Sequence, residues 1–189
     1  NLPPQTGLVD FFIFFSYLIT MYLYKFFFLI SLFFTNLSYS ENNNQSLLIK
    51  EIKKVKPFEI TDLDGNKTLI KSSKEKVILI NFWATWCAPC IKEIPDLLKL
   101  KENFKDEIDI YFMSVDQNVK KTVPKFLKKH NFKNILIFND QKLTVSKAFN
   151  IKVMPTTIII DKKFQETYRV NGYVEWLNDE YKDLIKSLL

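Results

Sequence analysis

The feature that most restricts what this chain can fold into is a junction. Val77-Ile-Leu-Ile-Asn-Phe82 is an apolar run broken only by Asn81, the pattern of a strand covered on both faces. Trp83-Ala-Thr-Trp-Cys87-Ala-Pro-Cys90 follows at once. Beyond it, apolar residues recur at 91, 94, 97, 98, 100 and 104, the period of an amphipathic helix. This order puts Cys87 at a helix N-terminus, where free backbone N–H groups and the positive end of the helix favour a thiolate. Cys90 lies one turn further and faces the same side. The thiolate is the attacking species in disulfide exchange. Cys87 is therefore the expected nucleophile, and Cys90 the group that resolves a mixed disulfide. Trp86 is expected to cover the pair, and Pro89 to fix the first helical turn.

Other uses of the pair are weaker. These are the only two cysteines among 189 residues, too few for a disulfide scaffold. A bond closing so short a loop stabilises the fold little and makes better sense as one that opens and closes. A structural zinc site wants four ligands. The pair supplies two, and the lone His130 sits on a Lys-rich helix end, where it reads as a surface residue, so no metal site is expected. Copper(I) held by two thiolates is the alternative that stays open, which would make the chain a copper chaperone. The formal net charge is +6, with Arg169 the sole Arg. Readers of nucleic acid lean on Arg, so no nucleic-acid partner is expected and the lysines read as a solvated surface.

The remaining pattern alternates strands and helices. Phe58 to Asp64, the turn Gly65-Asn66 and Lys67 to Ile70 form a hairpin signal. Strands are expected at Ile108 to Val115, Ile135 to Phe138, Thr156 to Ile160 and Glu166 to Tyr173, the last two joined by Asp161-Lys162-Lys163. Helices are expected at Val119 to His130, Leu143 to Phe149 and Trp176 to Leu188. Phe82, Trp83, Phe112, Phe126, Phe149 and Ile158 to Ile160 are the expected core. The alternation argues an α/β domain around a central sheet.

Residues 1–40 differ from the rest. Phe11 to Tyr24 and Phe26 to Phe34 are apolar runs split by Lys25. Met21 is an attractive initiator: from it, a short segment ending at Lys25, an apolar stretch and Ser38-Tyr39-Ser40 compose an export signal. Phe11 to Leu37 is also long enough for a membrane anchor, if Lys25 is tolerated. Either option places the domain outside the cytoplasm, where disulfides persist. The expected organisation is a signal or anchor at 1–40, a linker and lead-in at 41–56, and one domain at 57–189.

The stretch Asn81-Phe-Trp-Ala-Thr-Trp-Cys-Ala-Pro-Cys-Ile-Lys-Glu-Ile-Pro95 resembles the TlpA/ResA/CcmG branch of thioredoxin-like proteins, periplasmic or membrane-tethered thiol-disulfide oxidoreductases. The resemblance covers roughly residues 57–189. It implies a thioredoxin fold, a central mixed sheet flanked by helices with an N-terminal hairpin extension and an inserted βα element. Asn81 stands where cytoplasmic thioredoxins carry a buried Asp, and Glu93 matches the acidic residue this branch places after the second cysteine. Glu93, at i+3 from Cys90, can reach that sulfur's surroundings. Partly buried there, it would have a raised pKa suited to proton transfer. Met154-Pro155-Thr156 resembles the cis-proline loop, which implies a cis bond and a backbone edge at Met154 for an extended substrate. The branch's Gly-Val-x-Gly-Val-Pro-Glu variant of that loop, typical of CcmG, is absent.

The resemblance implies a reductase of protein disulfides, of the cytochrome c maturation or copper-site assembly type. It would need no cofactor beyond the Cys87–Cys90 disulfide and would draw electrons from a membrane thiol protein. A peroxidase of the related peroxiredoxin type is disfavoured, because Ile80 and Ala84 occupy the positions of that group's Pro and Thr.

Overall fold

The apolar run of the junction forms the middle of the sheet. The computed structural model describes residues 15–28, 47–72, 75–133 and 135–189. The chain divides into two units, Asn1–Asn43 and Asn44–Leu189. In the first, residues 15–28 form helix α1, whose side chains are mostly exposed. No helix among the described residues is long and apolar enough to cross a membrane. Most of the expected signal or anchor, including Ser38 to Ser40, lies outside the described residues.

In the second unit β4 (Val77–Trp83) is buried along its whole length. It pairs in parallel with β5 (Ile108–Ser114) and antiparallel with β7 (Thr156–Ile160). The six-stranded mixed sheet runs β1-β8-β7-β4-β5-β6, where β1 is Leu47–Lys54, β6 is Ile137–Asn139 and β8 is Gln165–Asn171. The hairpin of β2 (Phe58–Thr61) and β3 (Lys67–Ile70) forms a separate two-stranded sheet. It touches the far edge through a bridge between Asp62 and Phe138. Between β5 and β7 run α3 (Val119–His130), β6 and the short α4 (Thr144–Ala148), which contain the inserted element.

Strand parity sorts the core. Even residues of β4 (Ile78, Ile80, Phe82) join Met113, Ile158 and Ile160, packed under Ile60 and Ile70 of the hairpin and Phe149. Odd residues (Val77, Leu79, Trp83) join Phe112 and Ile159 beneath α2 (Ala88–Phe104), α3 and α5 (Asp179–Lys186). The core residues expected from sequence are all buried.

Two expectations are corrected. Residues 47–54 are not part of a lead-in. They pair with β8 from Leu47↔Asn171 to Lys54↔Gln165 as an outer strand of the main sheet, with an irregularity between Lys50 and Lys53. The domain therefore begins before residue 57. The last helix starts at Asp179 rather than Trp176, because Trp176 lies in a turn closed by Asn178 N–H donating to the Glu175 carbonyl (3.0 Å).

Candidate active site

The end of β4 delivers the cysteines to the head of α2. Cys87 is the residue flanking the helix start, with extended backbone (φ −92°, ψ 96°), and Pro89 lies in the first turn. The first turn carries no acidic side chain, so nothing there opposes a thiolate at the positive end of the helix. Cys87 N–H donates to the Ala84 carbonyl (3.1 Å), and Cys87 C=O accepts from Ile91 N–H (3.0 Å). The two cysteines form a disulfide with Cα atoms 5.3 Å apart. Cys87 is 6% exposed and Cys90 fully buried, so an incoming partner meets Cys87. Trp86 is 68% exposed. It stands next to Cys87 in the chain with most of its indole open to solvent.

The preceding loop is fastened from behind. Asp116, itself buried, accepts from Thr85 N–H (3.0 Å), Thr85 Oγ1 (2.6 Å) and Ser114 Oγ (2.8 Å). Thr85 and Asp116 were not singled out from the sequence. The available signal was an acid at the end of an apolar run, Asp116 after Phe112-Met-Ser-Val115.

Glu93 sits beneath the helix, fully buried. Parity explains its neighbours. Asn81 is an odd residue of β4 and faces α2, and the register pairs it with Thr157 of β7. Asn81 Nδ2 donates to Glu93 Oε1 (2.6 Å) and to Thr157 Oγ1 (3.0 Å). Trp176 Nε1 donates to Glu93 Oε2 (3.2 Å). Burial pushes the Glu93 carboxyl up from 4.5 to about 8, against the opposing pull of the Asn81 and Trp176 hydrogen bonds. Glu93 is thus an acid mostly protonated at neutral pH, one helical turn from Cys90. Trp176 and Thr157 were missed from sequence. The sequence pattern makes Trp176 the first residue of a helix, and a threonine in a buried strand gives no sign of what lies opposite.

The Met154–Pro155 bond is cis. Pro155 is buried, its carbonyl accepting from Gly172 N–H (2.8 Å), and Thr156 Oγ1 donates to the Val153 carbonyl (2.9 Å). Met154 packs against the same core cluster as both cysteines, while Val153 is exposed. His130 is exposed at the end of α3, stacked against Phe132 and near Phe126. Among the described residues, no group of three or more His, Cys, Asp and Glu side chains is placed to hold a metal ion.

Comparison with known proteins gives this geometry its context. The Redoxin family model matches residues 50–185. Thiol-disulfide oxidoreductase ResA of Bacillus thuringiensis subsp. konkukian is 30% identical over 140 residues, 73% of this chain and 79% of the relative. Thioredoxin-like protein YneN of Bacillus subtilis is 29% identical over 128 residues, 66% of this chain and 74% of the relative. Among solved structures, a thiol:disulfide interchange protein of Chlorobium tepidum superposes with TM-score 0.60 at 22% identity, covering 74% of this chain and 98% of that one. StoA of Bacillus subtilis does so with TM-score 0.55 at 22% identity, covering 68% and 95%. Both have the thioredoxin fold expected from the sequence.

Proposed function

This chain belongs to the Redoxin family and is a thiol-disulfide oxidoreductase; from that premise we propose that it reduces disulfides in other proteins outside the cytoplasm, of the kind met in cytochrome c maturation or copper-site assembly. The observation that carries this reading is the buried acid Glu93, one turn from the buried sulfur Cys90. A reductase must be recharged, and recharging needs a proton at that depth.

The cycle balances as follows. In the reduced protein the Cys87 thiolate attacks a substrate disulfide, forming a mixed disulfide and expelling one substrate thiolate. Cys90 gives its proton to Glu93 in that acid's ionised form and attacks the Cys87 sulfur. This releases the second substrate thiolate and leaves the Cys87–Cys90 disulfide. Two electrons pass to the substrate. A donor dithiol, held by a membrane protein, then attacks Cys87. Cys90 leaves as a thiolate and takes the proton back from Glu93, whose carboxyl carries it at neutral pH. The donor's second thiolate then attacks the donor sulfur of the mixed disulfide, which frees the Cys87 thiolate and leaves the donor as a disulfide. The same proton thus shuttles between one sulfur and one carboxyl, with no cofactor beyond the cysteine pair.

The substrate lies extended against the Met154 backbone, beside the apolar Trp86 and Val153, both exposed. The apolar runs within residues 11–37 support delivery across a membrane, as a cleaved signal or a retained tether.

Equilibration with glutathione tests the direction. A potential below about −200 mV is expected, and one well above it refutes the reductase reading. A Cys90→Ser chain is expected to hold its substrate on Cys87 for identification by mass spectrometry. Stoichiometric copper(I) binding with no insulin reduction would instead favour the copper chaperone.

A further inference from the structure

Glu93, Asn81, Thr157 and Trp176 pose a hydrogen-bond accounting question. Trp176 Nε1, a group that only donates, holds Oε2 of Glu93. A proton on Glu93 therefore belongs on Oε1. That oxygen faces Asn81 Nδ2 at 2.6 Å. Two donors cannot share that contact, so the observed arrangement suits only the ionised carboxylate. Yet among the described residues Asn81 Oδ1 is the one buried side-chain acceptor without a partner. A half-turn of the Asn81 amide about its last torsion exchanges Oδ1 and Nδ2. It brings the unused acceptor to where a protonated Oε1 needs one. The other neighbour of the amide, Thr157 Oγ1 at 3.0 Å, is a hydroxyl, which can accept from Nδ2 or donate to Oδ1.

We propose that Asn81 is a positioning residue with two settings. It donates from Nδ2 to the Glu93 carboxylate and turns to accept at Oδ1 when Glu93 carries a proton, with Thr157 inverting from acceptor to donor. The amide thereby meets both forms of the acid that the cycle passes through and holds the mobile proton on Oε1, at the cost, in the second setting, of placing Nδ2 where Oδ1 now lacks a partner. An ionised aspartate at position 81 could not donate to the ionised form. This deepens the reading of Glu93 as the proton carrier. Around the carboxyl, α2 contributes Asp96 as the other titratable group. Cys87 and Cys90 on that helix are oxidised and do not titrate. Beta strands β4 and β7 contribute Asn81 and Thr157, and the segment before α5 contributes Trp176 and Val174.

The test uses the oxidised full-length chain, so that no thiol titrates and no turnover is needed. The carbon-13 shift of the Glu93 carboxyl and the nuclear Overhauser contacts of the Asn81 side-chain NH2 protons are followed together against pH. At high pH the NH2 protons are expected near the Thr157 side chain. Those contacts should fade with the midpoint of the Glu93 carboxyl as pH falls. Trp176→Phe removes a donor from the carboxylate and is expected to raise that midpoint by about one to two pH units, carrying the Asn81 transition with it. Contacts that stay the same on both sides of the Glu93 midpoint, or fail to follow it in Trp176→Phe, overturn the proposal. Neither result bears on whether the chain is a reductase, which the glutathione titration decides separately.

Discussion

Replacing Glu93 by Gln is expected to stabilise the protein while crippling it. The ordinary carboxyl value is 4.5, and burial raises it to about 8 in the folded chain. A carboxyl with a raised pKa binds more protons folded than unfolded between those values. Folding is therefore favoured at low pH, and stability falls as pH rises from about 4.5 to about 8, with a slope near 1.4 kcal/mol per pH unit. Across the window the loss comes to about 5 kcal/mol, a large part of a typical domain's stability. Glutamine keeps the shape and does not titrate. The variant should gain about 1 kcal/mol over the parent near pH 5, about 3 near pH 7 and about 5 near pH 9. The assay is urea unfolding of both oxidised proteins at those pH values, followed by tryptophan fluorescence. Reduction of the variant's disulfide by a dithiol should slow by about a hundredfold or more, the worth of a positioned acid. The parent's rate should fall as pH rises through about 8. A stability difference that is flat from about pH 5 to 9 would refute the reasoning, because it would mean that Glu93 does not carry its proton in the folded chain.

Three further substitutions probe the frame around the site. Thr85→Val removes the 2.6 Å bond to the buried Asp116 carboxylate and should cost about 2 kcal/mol in guanidinium unfolding, with Thr85→Ser costing much less; equal losses would sink the clamp. Arg169→Met strips the buried Glu166 of its ion pair (2.8 Å) and the Phe149 carbonyl of a donor (2.8 Å). It should cost about 3–5 kcal/mol, most of it recovered when Glu166→Leu is added, and a double variant no better than the single would count against a buried-charge origin. Gly65→Ala should lose about 1 kcal/mol from backbone conformation alone. Gly65 has φ +100°, and the nearest atom to an added methyl is Lys120 Nζ at 3.8 Å, so a neutral result would mean the turn relaxes.

What was legible in the sequence followed the buried strands. A continuous apolar run such as Val77 to Phe82 admits few placements, and the helical period after Cys90 fixed which side faced it. Glu93 could be placed near Cys90 because helical spacing is a local rule. The partners of Glu93 were not legible. Asn81 meets Thr157 only through the β4–β7 register, 76 residues apart in sequence, and Trp176 arrives from 83 residues away. Strand β1 was missed for another reason. Leu47-Leu-Ile-Lys-Glu-Ile-Lys-Lys54 does not alternate and is rich in Lys, which is how an outer strand discourages unwanted pairing and also how a linker looks. Asp116 and Thr85 escaped because a lone acid beside a strand end carries no sign of its hydroxyl partner.

The unequal exposure of the two sulfurs, 6% for Cys87 and none for Cys90, has a practical consequence for damage. Any small oxidant or stray thiol that enters from solvent lands on the outer atom, and the reserve thiol behind it is then a permanent neighbour. An adduct formed by accident is expelled by the same internal attack that ends a productive encounter. The adduct is thus cleared from within, and the protein is left with the Cys87–Cys90 disulfide, the same oxidised form that every turnover leaves for the donor to recharge.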